Sequence, residues 1–270
     1  MEIDGVIEAN KIMNQLIKKK KEGIGLGIIQ IGEEKEKEAY VRMIKKKCRE
    51  LDIYSRIRKY KGDVQEKEII KEIEELNKDE GISGIIIQMP MPKHINMEKV
   101  CNTIDRRKDI EGVNQINVGK VCQGIEGYVP CTALACIKLI EKYDINVRGM
   151  EIVIIGSSNI VGKPLGMMLL NRGATVTLCH KDTKDIIKHT READMIIACC
   201  GVQKLVKRDW IMGGVIIIDV GINESGGEIV GDVDYENIKD RCKYITPVPG
   251  GVGPMTVMML MYQLMNKIDE

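Results

Sequence analysis

Apolar residues recur along this chain with two different periods, and the alternation between them predicts its architecture. GLGIIQIG (25–32) is a short apolar run closed by glycine, which predicts a buried strand. The next segment, EKEAYVRMIKKKCRELD, sets Tyr40, Ile44, Lys47/Cys48 and Leu51 at helical spacing. IYSRIRKY predicts a strand, QEKEIIKEIEELNKDEG an amphipathic helix stopped by Gly81, and GIIIQMPMP a buried strand halted by prolines. A β-α-β-α-β order favours a parallel sheet with crossover helices. Residues 108–132, KDIEGVNQINVGKVCQGIEGYVPCT, are rich in Gly and Asn and hold no sustained period. They predict an active-site loop that leads into a linker helix, TALACIKLIEKYD. A second α/β block begins at EIVIIG (151–156) and continues through ATVTLCH, DMIIACCG and VIIIDVGIN, each strand preceded by a helical stretch. ESGGEIVGDV predicts a hairpin, and TVMMLMYQLMNKI a terminal amphipathic helix.

A length of 270 residues fits one large or two medium domains. Hydrophobic residues make up 44% and charged residues 30%, the balance of an ordinary globular protein. The net charge of +1 supplies no field to gather nucleic acid or an anionic membrane. With 3% aromatic residues and no Phe, base-stacking platforms are not expected either. The nine cysteines form no C-x-x-C pair and no paired cysteine–histidine spacing, and several lie in apolar runs, as Cys199 and Cys200 do. Reduced, buried thiols are the expectation, with no metal site. The N-terminus carries charges where a signal peptide needs an apolar core, and no apolar run approaches the ~20 residues of a membrane span. A cytoplasmic protein is expected.

Two segments carry chemistry. In EIVIIGSSNIVGKPLGMMLLNRG, glycines lie between a strand and a helix, where backbone N–H groups can face a pyrophosphate. A nucleotide-triphosphate loop would need four residues between its glycines and a hydroxyl after the lysine. Here five residues separate Gly156 from Gly162, and Pro164 follows Lys163, so that reading fails. A dinucleotide turn and a purely structural tight turn remain. The next strand ends at Cys179-His180-Lys181-Asp182, where Lys181 would favour a ribose 2′-phosphate and Asp182 a free 2′-hydroxyl. The second segment, TPVPGGVGPMT (246–256), packs three prolines and three glycines into eleven residues. That composition fixes an irregular backbone which a flat ligand can approach closely.

With that loop in place, the chain resembles the bifunctional methylenetetrahydrofolate dehydrogenase/methenyltetrahydrofolate cyclohydrolase family over essentially its full length. IIIQMPMP, KDIEGVNQINVG, VPCT, VIIGSSNIVGKP, DWIMGGVIIIDVGIN, VGDV and TPVPGGVGPMT occur in the family's order. The resemblance implies an α/β protein of two domains with a folate cleft between them. These would be an α/β folate-binding catalytic domain (1–127 plus 253–270) and a Rossmann-like NAD(P)-binding domain (128–252). It also implies an NAD(P) cofactor, a tetrahydrofolate substrate and a homodimer formed through the cofactor domains; Lys181 inclines the cofactor to NADP, with NAD the alternative. Tyr40 matches the tyrosine that stacks on the pterin, Gln88 the active-site glutamine, and Pro249, Gly250 and Gly251 the folate-lining loop. Gly156, Ser157, Ser158, Lys181 and Ile222 match cofactor-contact positions.

Two positions depart from the family. Glu111 in KDIEG stands where the family carries an aspartate that binds the pterin, which moves the carboxylate out by one methylene. Ile44 stands four residues after Tyr40, where the family carries its catalytic lysine. At about 100° per residue, Lys45 and Lys46 point roughly 140° and 240° away from Tyr40. Lys47 returns to within roughly 20° but lies about 4.5 Å further along the axis than Ile44. Hydride transfer needs chiefly alignment of the reacting atoms, whereas hydrolysis of the methenyl cation needs a group that takes a proton from water. The expected activity is therefore NAD(P)-dependent oxidation of methylenetetrahydrofolate with the cyclohydrolase activity impaired or absent. Two alternatives stand beside it: a fully bifunctional enzyme using Lys47 or water, and an idle folate- and dinucleotide-binding protein.

Overall fold

The computed structural model describes residues 1–19 and 21–266, with every side chain except those of Lys35 and Glu36. Lys20, in a basic run, and Lys267 and Ile268, at the end of the expected terminal helix, lie outside the described residues. The elements in chain order are α1 (Gly5–Lys19), β1 (Gly25–Ile31), α2 (Lys35–Glu50), β2 (Tyr54–Tyr60), α3 (Glu66–Lys78), β3 (Gly84–Ile87) and α4 (Met97–Thr103). Then come α5 (Gln115–Gln123), α6 (Cys131–Lys142), β4 (Glu151–Ile155), α7 (Gly162–Leu170), β5 (Thr175–Cys179), α8 (Ile186–Arg191), β6 (Met195–Ala198) and β7 (Ile216–Asp219). The chain ends with β8 (Asn223–Ser225), β9 (Glu228–Val230), α9 (Tyr235–Ile238), β10 (Tyr244–Ile245) and α10 (Val252–Met265).

Two units result. One holds residues 12–120, 125–131 and 259–270 around a parallel sheet of order β2-β1-β3. One face of this sheet is isoleucine-rich: Ile29, Ile31, Ile85 and Ile87 pack on Ile69, Ile73 and Leu76 of α3. Because strand side chains alternate, Gln30 and Gln88 face the other way. The other unit holds residues 1–11, 121–124 and 132–258 around a parallel sheet of order β10-β7-β6-β4-β5. Its N-terminal residues belong here because Glu2 bridges Ile245 and Ile3 N–H donates to the Ile245 carbonyl. In both sheets the chain leaves the first strand for one neighbour and later returns to the other side of it. The carboxyl ends of β1 and β4 are therefore topological switch points, where open α/β sheets bind ligands.

The expected strands and the β8–β9 hairpin are present, and three local features differ from expectation. The segment 108–132 contains a helix, α5, started where Asn114 Oδ1 accepts the Ile116 N–H at 2.9 Å. A 3₁₀ turn at Arg208–Trp210, not an α-helix, precedes β7. The terminal helix is not amphipathic: Val252, Met255, Val257 to Met261, Leu264 and Met265 are all buried. Methionine supplies apolar surface on every side of it, and a helix apolar all round is a core helix.

Candidate active site

In the β4 unit, the expected cofactor residues gather at the carboxyl edge of one sheet. Gly156 follows β4 with φ of +123°, its N–H donating to the Cys179 carbonyl at the end of β5. A Cβ on Gly162 would lie 1.9 Å from the Gly156 carbonyl oxygen, so only glycine lets α7 begin this close to the turn. No side chain caps α7 at Val161, and because Lys163 N–H donates to the Ser158 carbonyl at 3.1 Å and Pro164 has no N–H, the Gly162 N–H is the one its first turn can offer an anion. Ser157 is half-buried and Ser158 exposed, with Ser158 Oγ accepting the Val161 N–H at 3.1 Å. These features fit the pyrophosphate of a dinucleotide. Lys181 is exposed just past β5. Asp182 turns back on His180, its N–H donating to His180 Nδ1 at 3.2 Å. Ile222, past β7, is 69% exposed.

The loop that presents Ile222 is built on two aspartates that the sequence reading had given no role. Asp219 Oδ1 accepts from Gly221 N at 2.9 Å and Asp232 N at 3.0 Å, and its Oδ2 accepts from Val233 N at 2.9 Å. Asp232 Oδ2 in turn accepts from Cys200 N and Gly201 N at 2.7 and 2.9 Å, which ties the ends of β6 and β7 together. Burial pushes Asp219 up to about 6 against those hydrogen bonds. The signal was a charged residue ending an apolar strand, VIIID, followed by a second in VGDV.

The Pro249-Gly250-Gly251 loop follows β10 in this same unit. The Val248–Pro249 peptide is cis and Gly250 has φ of +111°. Gly5 N–H donates to the Gly250 carbonyl at 2.9 Å, and a Cβ on Gly5 would lie 1.7 Å from the Gly251 oxygen. Gly5 is thus a required neighbour of the loop that the sequence reading missed.

In the β1 unit, Tyr40, Gln88 and Glu111 converge near the carboxyl edge of the three-stranded sheet. Residues 108–110 run beside β3, with Ile85 bridging Asp109, which brings Glu111 level with the strand's end. Gln263 of α10 holds this segment, its Nε2 donating to the carbonyls of Ile110 at 2.8 Å and Val129 at 2.9 Å. Asp109 is fully buried and accepts from Val113 N, Asn114 N and Asn117 Nδ2, yet burial still pushes it up to about 6. Glu111 is half-buried as a residue but its carboxyl is desolvated, which, with Asp109 nearby, pushes it up to about 8. Burial, then the proximity of Glu111 and Cys131, holds the Tyr40 hydroxyl well above its ordinary range.

Ile44 is fully buried, in the core rather than at a polar surface. Lys45 and Lys46 are exposed, and Lys47 pairs with Glu50 at 2.7 Å. The cation that does enter this region is Lys37, 8% exposed, three residues before Tyr40. Its sequence context, EKEKEAY, reads as a solvated helix face, and only packing reveals it. All nine cysteines are free, and among the described residues no His/Cys/Asp/Glu group could hold a metal ion. No helix among the described residues is long and apolar enough to cross a membrane.

Comparison with known proteins adds an independent line. A family model for the catalytic domain of tetrahydrofolate dehydrogenase/cyclohydrolase matches residues 3–111, and one for the NAD(P)-binding domain of the same family matches 130–270. The bifunctional protein FolD of Nitratiruptor sp. is 42% identical over 266 residues, covering 96% of this chain and 94% of that protein. FolD of Sulfurovum sp. is 42% identical over 276 residues, covering 99% and 98%. The crystal structure of FolD, a methylenetetrahydrofolate dehydrogenase/cyclohydrolase from Campylobacter jejuni, superposes with a TM-score of 0.96 at 41% identity, covering 99% and 98% of the two chains. The Trypanosoma brucei enzyme, solved with NADP and an inhibitor, gives 0.93 at 31% identity, covering 98% and 95%.

Proposed function

The chain belongs to the tetrahydrofolate dehydrogenase/cyclohydrolase family, and from that premise we propose that it is an NAD(P)-dependent methylenetetrahydrofolate dehydrogenase whose methenyltetrahydrofolate cyclohydrolase activity is impaired. The observation that carries the second half is Ile44, fully buried where the family's lysine would stand. The engagement of Lys47 with Glu50 argues against its taking over. The names of the relatives include both activities, so the impairment is particular to this chain's residues. Tyr40, Gln88 and Glu111 bind and orient the pterin, joined by Pro249, Gly250 and Gly251. Gly156, Ser157, Ser158, Lys181 and Ile222 receive the cofactor, whose nicotinamide accepts the hydride when bound. NADP is the preferred cofactor, since the exposed Lys181 just past β5 can meet a ribose 2′-phosphate as a point charge. The protein works in the cytoplasm as a homodimer.

One spectrophotometric experiment tests this reading. With methylenetetrahydrofolate and NADP, the expected result is reduced nicotinamide with accumulating methenyl product. Ile44→Lys should then raise hydrolysis, with general acid–base catalysis worth ~10²–10⁴-fold when fully assembled. Formyl product formed by the wild type as fast as nicotinamide is reduced would overturn the impairment. No reduced nicotinamide at all would leave only a binding protein.

A further inference from the structure

Resting on that reading, we propose that Gln30 is a specificity-determining residue of the folate site: with Gln88 it presents two unpaired amide oxygens that favour the methenyl cation over neutral folates. The strand register places the two side by side. β1 and β3 run parallel with Ile28 opposite Ile86 and Ile29 opposite Ile87, and the Gln88 N–H continues the ladder to the Ile29 carbonyl at 3.0 Å. Gln30 and Gln88 are therefore the next facing pair, on strands about 4.8 Å apart and on the same face of the sheet.

Packing alone does not ask for glutamine there. The same face carries Leu26, Ile28 and Ile86, all buried, and a pair of leucines would continue that row. Instead Gln30 is 1% and Gln88 5% exposed. Their nitrogens are already held: Gln30 Nε2 donates to the Gly32 carbonyl at 3.3 Å, and Gln88 Nε2 to the Lys37 carbonyl at 3.2 Å. Turning either amide over would set its oxygen against a carbonyl oxygen, so these bonds fix which end is which. Oε1 of each is buried and has no hydrogen-bond partner among the described residues. A buried acceptor left unpaired destabilises a folded chain, and two on facing residues also repel each other. Such a pair is explained where a ligand satisfies it.

The charge of that ligand follows from the reaction. Gln88 belongs to the folate site on the proposed reading, and Gln30 lies at the same depth beside it. Departure of a hydride with its electron pair leaves the one-carbon unit of the folate as the methenyl cation, whereas the methylene substrate and tetrahydrofolate itself are neutral there. Carbonyl oxygens fixed in a surrounding of low dielectric attract developing positive charge without reorganising. Competing cations are few. Position 44 brings no ammonium, since Ile44 is fully buried there. The Lys37 ammonium is matched, bonded to the Ile31 carbonyl at 2.9 Å and to Glu34 at 3.2 Å. Impaired hydrolysis and a preference for the cation then share one logic, a site that holds its charged product rather than opening it.

Inhibition of hydride transfer measures that preference. Ki is determined for methenyltetrahydrofolate, the cation, and for tetrahydrofolate, the neutral comparison, in wild type and in Gln30→Met. Methionine keeps the unbranched shape and removes the amide oxygen. The wild type is expected to bind the cation more tightly, and Gln30→Met to lower the ratio of the two constants by roughly tenfold or more. A packing role alone would weaken both ligands by one factor, and that result excludes the proposal. A wild type without preference for the cation, or a ratio unchanged in Gln30→Met, excludes it as well. Each of these outcomes leaves the proposed dehydrogenase standing. Should Gln30→Met not fold, Gln30→Glu decides, because it keeps an acceptor oxygen and adds a carboxyl that ionises as pH rises. A ratio that climbs above the wild type's with pH retains the proposal, and one that stays at or below it excludes it. A wild type that yields no reduced nicotinamide removes the reading of the site and this proposal together.

Discussion

At residue 111 a carboxyl group sits desolvated beside Asp109, and its pKa of about 8 means that it holds a proton at neutral pH. A pterin offers adjacent N–H donors, which need an ionised acceptor. Binding must then release that proton, so KM for the folate should fall as pH rises from 7 to 9. Glu111→Gln cannot titrate, and its KM should be higher and flat across the same range. Should the variant keep the wild-type slope, another group carries the dependence. Stability runs the opposite way. Between 4.5, the ordinary value, and about 8, the folded carboxyl keeps a proton that the unfolded one has released. Folding stability therefore declines as pH rises through that window. Asp109, raised from 3.8 to about 6, adds a decline of the same sign at lower pH. The urea midpoint of Glu111→Gln should lose less between pH 6 and 9 than that of the wild type. The substitution of Glu for Asp was legible in the sequence, but its protonation was not, because that depends first on burial of the carboxyl and then on Asp109 packing beside it.

At the scale of elements, strands and turns were the most legible level, since an apolar run closed by glycine or proline has few other readings. The turn from β4 to α7 could be read because glycine spacing states a backbone requirement, and the 1.9 Å approach at Gly162 is that requirement made explicit. Helix faces were less legible. In α2 the run EKEKEA has the composition of a solvated surface, yet Lys37 turns inward because β1 ends in a free carbonyl within its reach. The segment 108–132 concealed α5 because Asn and Gly interrupt any apolar period, and caps supplied by Asn114 do not appear in a periodicity. The end of β5 yields a further test. If Lys181 meets a 2′-phosphate, Lys181→Ala should lower the kcat/KM ratio of NADP to NAD by roughly tenfold, equivalent to 1.4 kcal/mol. An unchanged ratio would mean that Lys181 does not read the phosphate.

For the whole molecule, the sequence indicated two α/β blocks through the irregular stretch between them, and each sheet is built around a switch point at its first strand. What no sequence period conveys is assembly. The β8–β9 hairpin is a two-stranded ribbon outside the five-stranded sheet, with Ile229 52% exposed. A two-stranded hairpin is marginal alone, and its unpaired edge invites another chain. If that chain is a second copy, an isologous interface follows, and each copy contributes the same hairpin to it. Sedimentation at micromolar concentration should then give a dimer of the 30.3 kDa chain. Ile229→Glu places a charge in that contact and should shift the protein toward monomer, with a hydride-transfer rate that becomes dependent on protein concentration if the cofactor sites need the partner's support. A wild type that sediments as a monomer would remove the dimer. A dimer indifferent to Ile229→Glu would place the interface elsewhere, leaving the hairpin's exposed isoleucine without a partner.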